Sequence, residues 1–223
     1  MQKKAVIVAG GNGLRMGAFI PKQFLLLKGK PLIVYTIERF LNAYSDMEII
    51  LVLPEEHLER GEAIVATIND KERITLTKGG ATRFHSVQNG LKLIKDEAIV
   101  FVHDGVRCLI NTTLIQSCYE QALMKGSAIP AVAATDSIRI ANNENESVVA
   151  DRTKVRIIQT PQTFKSSILI PAFQQNYTDA FTDEATVVEA FGEPVFLIEG
   201  DYNNIKVTRP VDLVIAETIL QEL

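Results

Sequence analysis

The run Ala5–Ala9 (AVIVA), breaking directly into Gly10-Gly11-Asn12-Gly13, constrains this chain more than any other feature. A continuously apolar stretch with β-branched members describes a strand buried on both faces, which a sheet covered by helices on each side provides. Glu48–Leu53 (EIILVL) and Ala98–Val102 (AIVFV) repeat the pattern. Between such runs the period changes. In Pro31–Tyr44 the apolar positions Ile33, Ile37, Phe40, Leu41 and Tyr44 share one helical face, with Pro31 suited to a first turn. Segments 55–68, 82–95 and 111–125 read the same way. Strands alternating with helices predict βαβ units and an α/β fold with a mainly parallel, doubly wound sheet.

The rhythm breaks after Pro130. Ser137–Ile140 (SIRI), the polar turn Asn142–Glu146 (NNENE) and Ser147–Ala150 predict a β-hairpin with few core residues, projecting from the α/β body. The chain then resumes with Val155–Gln159, a helix near 182–191, a strand at 195–198 and a closing helix from Pro210. No internal repeat, linker or low-complexity tract interrupts it. The reading is one domain over residues 1–223 with an inserted arm at about 136–150.

Composition removes several function classes. Net charge is −4 with acids and bases interspersed, whereas a nucleic-acid binder carries a basic excess to neutralise phosphates. No stretch approaches the ~18–20 apolar residues of a membrane span. Cys108 and Cys118 lack CxxC spacing and neighbouring histidines, which favours packed reduced thiols over a disulfide or zinc site. The apolar run near the N-terminus is too short for a signal-peptide core. A cytoplasmic protein is expected.

Four segments carry candidate chemistry. The glycine-rich turn Gly10-Gly11-Asn12-Gly13-Leu14-Arg15-Met16-Gly17 lets backbone N–H groups approach phosphate oxygens. It is neither the dinucleotide fingerprint, because Met16 occupies the third glycine position, nor a P-loop, because Gly-Lys-Ser/Thr is absent. With Arg15 and the following Pro21-Lys22-Gln23 it suits a triphosphate; a plain strand–helix turn with solvated bases is the alternative. His103-Asp104-Gly105-Val106-Arg107 follows a strand at the edge where open sheets bind ligands. Asp104 fits either a Mg²⁺ ligand or a turn cap. Gly79-Gly80-Ala81-Thr82-Arg83-Phe84-His85-Ser86 joins a strand to a helix. It permits close approach of a flat base, with Arg83 and Ser86 as donors and Thr82 as a helix cap. Towards the C-terminus stand Asp151-Arg152, Thr160-Pro161-Gln162, Thr182-Asp183-Glu184-Ala185 and Asn204-Ile205-Lys206-Val207-Thr208-Arg209-Pro210.

In this order and spacing, AGGNGLRMG, PKQF, GGATRFHSV, VHDGVR, QTPQ, FTDEA and NIKVTRPVDL resemble the 2-C-methyl-D-erythritol 4-phosphate cytidylyltransferase family over nearly the whole chain. The resemblance implies a Rossmann-like nucleotidyltransferase with a protruding β-arm that builds a homodimer. It implies a reaction in which CTP and methylerythritol phosphate are joined with Mg²⁺ as cofactor. Arg15 and Lys22 match residues on the triphosphate, and Asp104 matches the Mg²⁺-associated aspartate. Gly80 and Ser86 match positions around the cytosine, with Arg83 in the same segment. Arg107, Ser137, Arg152, Thr182 and Lys206 match groups at the second substrate's phosphate or the reacting centre, some donated across the dimer. The departures are Ala81 in place of an aspartate of some members, Cys108 where proline is usual, and Ser137 for a frequent threonine.

Attack of a phosphate on the α-phosphorus of a nucleotide needs no strong base, so a site without a His or Cys dyad is chemically sufficient. The nearest rival is a ribitol-5-phosphate cytidylyltransferase, which shares the glycine loop, the HDxxR element and NIKVT. A non-catalytic nucleotide-binding regulator has less need of Arg15, Lys22, Asp104 and Lys206 together. A dehydrogenase fits less well still, given Met16.

Overall fold

In the computed structural model, which describes residues 1–10, 20–142 and 146–222, the strands predicted from AVIVA, EIILVL and AIVFV lie side by side. They are β1 (Gln2–Val8), β4 (Met47–Leu53) and β6 (Ala98–Asp104), with β5 (Ile74–Lys78) beyond β4. β6, β1, β4 and β5 are mutually parallel neighbours. Alternation along β1 shows why an unbroken apolar run is required. Ala5 and Ile7 pack with Phe40 and Phe101 on one face, while Val6 and Val8 pack with Val87 and Phe164 on the other. All four β1 residues are buried.

One face is covered by α1 (Leu32–Ala43), α2 (Leu58–Val65) and α4 (Thr112–Lys125), the other by α3 (Arg83–Leu91), α5 (Ser166–Ala172) and α6 (Glu184–Ala190). The result is a helix–sheet–helix sandwich. One helix begins later than its pattern implies, because residues 55–57 form a 3₁₀ turn before α2. Thr82 caps α3 as expected.

The far half of the sheet departs from pure βαβ order. β7 (Ser127–Ala133) runs through Pro130, where the sequence rhythm breaks. β11 (Gln162–Lys165) enters between β6 and β7 antiparallel to both. β10 (Arg156–Ile158) pairs antiparallel with β7, and β12 (Leu197–Glu199) parallel to it. The eight-stranded sheet is thus mixed but mostly parallel. A short β2–β3 ribbon (Leu26–Leu27 with Lys30–Pro31) follows the Lys22 turn. β8 (Ile138–Asn142) and β9 (Glu146–Ala150) form a separate two-stranded sheet. The closing helix α7 (Pro210–Glu222) packs over Leu27, Val106 and Leu109. No helix among the described residues is long and apolar enough to cross a membrane.

Candidate active site

A cavity of about 570 Å³ opens at the carboxyl ends of β1, β4, β5 and β6. Its lining includes Gly10, Lys22, Gly80, Arg83, Ser86, Asp104 and Lys206, seven of the residues singled out from sequence. Backbone bonds continue the ladders past the strand ends and hold the floor rigid. Gly105 N–H donates to Val8 O, and Gly79 N–H donates to Leu53 O. The lining also contains Pro54, Glu55 and Glu56 after β4, which no sequence motif marked. Gly11, Gly13 and Arg15 lie outside the described residues.

One wall is built by the β5–α3 turn. Thr82 caps α3 through its side chain, so capping and site formation coexist at this segment. Gly80 N–H donates to Ser86 Oγ (3.1 Å), and Ser86 O–H donates to Thr82 O. A Cβ at Gly80 would fall 2.4 Å from His85 Cβ, so only glycine lets the turn fold back onto the first turn of the helix. The opposite wall is the 3₁₀ turn Lys22–Phe24. Gln23, almost fully buried, donates from Nε2 to Ala9 O at 2.7 Å and so ties this turn to the end of β1. Lys22 is thereby delivered to the cavity by its neighbour, a role of Gln23 that the sequence did not disclose.

Asp104 is the electrostatic centre. Its carboxylate accepts from Lys206 Nζ at 2.7 Å and from Arg83 Nε at 3.3 Å, with Arg107 Nε at 3.9 Å. Burial acts to raise the Asp104 carboxyl, but Arg83, Lys206 and Arg107 outweigh it and hold the group well below the usual carboxylate range. Arg83 in turn grips Glu184 with both terminal nitrogens: Nη1 donates to Oε1, and Nη2 to Oε2 at 3.1 Å. Burial opposes the Arg83 charge, yet Glu184 and Asp104 hold it above its ordinary value. Burial raises Glu184, with Arg83 opposing.

Lys206 reaches Asp104 because its segment is pinned on both sides. Buried Asn204 donates to Thr160 O, Val207 N–H donates to Val106 O, and Arg107 Nη1 donates to Asn204 O. Beyond it, Asp212 in the first turn of α7 accepts from Thr208 N–H, Thr208 O–H and Arg209 N–H. Thr208 is therefore held by Asp212 rather than capping the helix itself. His103 lies beneath. Burial pushes it down to about 3, keeping the ring neutral. Its Nε2 faces the Arg107 carbonyl, an acceptor, and so carries the proton; Nδ1 accepts from Thr160 O–H, which accepts from Asp104 N–H. Thr160, joined to Pro161 by a cis peptide, thus fixes the Asp104 backbone.

Four predicted site residues stand apart from the cavity lining. Arg107 is turned onto the Asn204 carbonyl, behind Asp104. Thr182 is exposed beside Asp183, which is the cap of α6. Ser137 is exposed next to β8, and Arg152 is exposed with Nη1 on Thr135 O.

Among the described residues no three His, Cys, Asp or Glu side chains gather to hold a metal ion. Asp104 offers two hard oxygens, each with one close cation contact and further lone pairs. Around it three cations face two carboxylates, so a bare divalent ion meets repulsion, whereas one arriving with a triphosphate does not. The residues fit Mg²⁺ held by one carboxylate plus phosphate oxygens.

The family model described as 2-C-methyl-D-erythritol 4-phosphate cytidylyltransferase matches residues 4–222. The protein of that name from Phocaeicola vulgatus is 46% identical over 220 residues, covering 99% of this chain and 100% of its own. The structure of 4-diphosphocytidyl-2C-methyl-D-erythritol synthase from Anaerococcus prevotii matches with a TM-score of 0.84 at 25% identity, covering 99% of this chain and 96% of that one. The 2-C-methyl-D-erythritol 4-phosphate cytidylyltransferase of Thermus thermophilus matches at 0.78 and 29% identity, over 99% and 100%. With the sequence match spanning almost every residue, the chain belongs to the 2-C-methyl-D-erythritol 4-phosphate cytidylyltransferase family.

Proposed function

We propose that this chain transfers the cytidylyl group of CTP to 2-C-methyl-D-erythritol 4-phosphate, releasing pyrophosphate, in isoprenoid precursor synthesis. One observation carries the reading beyond family membership. Lys206 and Asp104 meet at 2.7 Å in a cavity that also holds Lys22 and the glycine-lined slot of Gly10, Gly80 and Ser86. Cations beside a slot open to backbone donors suit a nucleotide whose phosphates face Lys22 and Lys206 while its flat base lies along the β5–α3 turn.

The chemistry is an in-line displacement. A phosphate oxygen of the second substrate bonds to the α-phosphorus, the bond to the bridging oxygen breaks, and pyrophosphate leaves with the electron pair. The protein supplies orientation and positive charge where negative charge shifts. Lys22 and Arg15 serve the triphosphate, and Lys206 serves the reacting phosphates. Mg²⁺, held by Asp104 and phosphate oxygens, would supply further charge neutralisation when bound. A pyrophosphate-release assay crossing CTP, UTP and ATP with methylerythritol 4-phosphate and ribitol 5-phosphate tests the assignment. Highest kcat/KM with CTP and methylerythritol phosphate is expected, and preference for ribitol phosphate would transfer the chain to the rival activity.

The working unit in this reading is a homodimer. On the β8–β9 hairpin Ile140 pairs with Val148 on one face, and both are about half exposed, at 57% and 49%. A lone two-stranded hairpin is marginal in water, and a two-fold exchange would cover this face in both copies. Ser137 and Arg152 flank the hairpin, so the same exchange would carry them towards a neighbouring cavity. Buried free thiols at Cys108 and Cys118 support a reducing, cytoplasmic setting.

A further inference from the structure

We propose that Glu184 is a positioning residue for the transfer reaction, acting through Arg83 to keep the Asp104 carboxylate open to its ligand. This rests on the function proposed above.

Glu184 is 1% exposed and opens α6, yet its carboxylate faces Arg83 on α3, at the edge of the cavity. Arg83 spans the two carboxylates, its terminal nitrogens on Glu184 and its Nε on Asp104. A buried Glu–Arg pair is weak evidence for stability, because apolar residues of similar volume often do as well. Its geometry has a clearer consequence. A guanidinium next to a single carboxylate tends to take it in a two-pronged grip that occupies both oxygens. With Glu184 filling the terminal fork, Arg83 has only its Nε edge for Asp104 Oδ1, and Oδ2 is left to Lys206, the more distant Arg107 Nε and the cavity.

The position of Glu184 is set independently of Arg83. Asp183 caps α6 reciprocally with Thr186, and Gln162 of β11 holds the same turn from below. Gln162 Nε2 donates to Asp183 Oδ2, and Ala185 N–H donates to Gln162 Oε1, both at 2.8 Å. β11 is paired with β6, the strand that ends in Asp104. Glu184 and Asp104 therefore stand on one rigid frame with Arg83 stretched between them.

The test is pyrophosphate release with CTP and methylerythritol phosphate, together with calorimetric CTP binding, for wild type, Glu184→Gln, Arg83→Gln and the double variant. In Glu184→Gln the freed Arg83 collapses onto Asp104. The expected result is kcat lowered about 10–100-fold, the scale of a misplaced reacting group, with CTP affinity unchanged or tighter because a negative charge has left the site. Because Glu184 works through Arg83, the double variant should be no slower than Arg83→Gln alone. A Glu184→Gln kcat within twofold of wild type overturns the inference, as does a double variant slower than Arg83→Gln by the whole Glu184→Gln factor. If Glu184→Gln does not fold, Arg83→Met/Glu184→Met carries the test against Arg83→Met. Equal kcat values support the inference, and a further tenfold loss in the pair refutes it. No turnover by wild type would instead remove the proposed function.

Discussion

Asp104→Asn is the most informative single perturbation, because the structure makes Asp104 a structural charge as well as a site residue. Three cations lie 2.7, 3.3 and 3.9 Å from its oxygens. At an effective dielectric near 20, each such pair has a gross attraction of about 4–6 kcal/mol. Lys206 is 41% exposed, so solvent reduces its share to about 1 kcal/mol or less. Arg83 and Arg107 are more buried and keep more of theirs. Removing one partner of a buried pair typically costs about 3–5 kcal/mol, since the stranded cations stay desolvated. For a chain of this length that is a fall in Tm of roughly 6–20 °C. The sign with pH follows from the depressed carboxyl. A group more acidic in the folded state stabilises fully above its unfolded value, about 3.9 for Asp, and loses that contribution as pH falls through the folded value. Thermal melts of both proteins should therefore differ by a constant amount from pH 5 to 8 and converge below pH 4. A variant melting within about 2 °C of wild type at pH 7 would refute this account.

Three further outcomes are expected. Lys22→Ala removes a cation from a surface turn, so Tm should hold while kcat drops about 10²–10³-fold; near-full activity would remove Lys22 from the triphosphate. Deleting Ile140–Val148 with a short turn in its place should give a folded monomer of low activity in sedimentation and turnover assays. A dimer, or a fully active monomer, would end the shared-site reading. Burial pushes Cys108 up to about 11 and Cys118 up to about 12, so both stay protonated at pH 9 and label only on unfolding; rapid labelling of both thiols by a disulfide reagent in the native protein would contradict that burial.

The parts of this fold legible from sequence are those in which one local pattern admits one solution. AVIVA must be buried on two sides, and the structure buries it there. Thr82 can cap the helix that follows it, and it does. The illegible parts depend on residues meeting from distant segments. β11 offers no crossover helix to announce its direction, and its antiparallel place between β6 and β7 is settled by packing alone. Lys206 and Asp104 lie nearly half the chain apart, so their contact needed the β6 edge, Asn204 and the start of α7 together. In Thr182-Asp183-Glu184-Ala185 only the cap was readable. A glutamate in a first turn ordinarily faces water, and nothing local reveals that Arg83 waits inside. Arg107 is a second case, since its side chain lies between the Asn204 carbonyl and Asp104, a placement no local pattern reveals. Ser137, Arg152 and Thr182 expose a third limit. A sequence can match a residue to a chemical role without saying which copy of the chain performs it, and the cavity of one copy does not contain these three. The mismatch between a resemblance that gathers them at one centre and a fold that separates them is what the homodimer proposed above would account for.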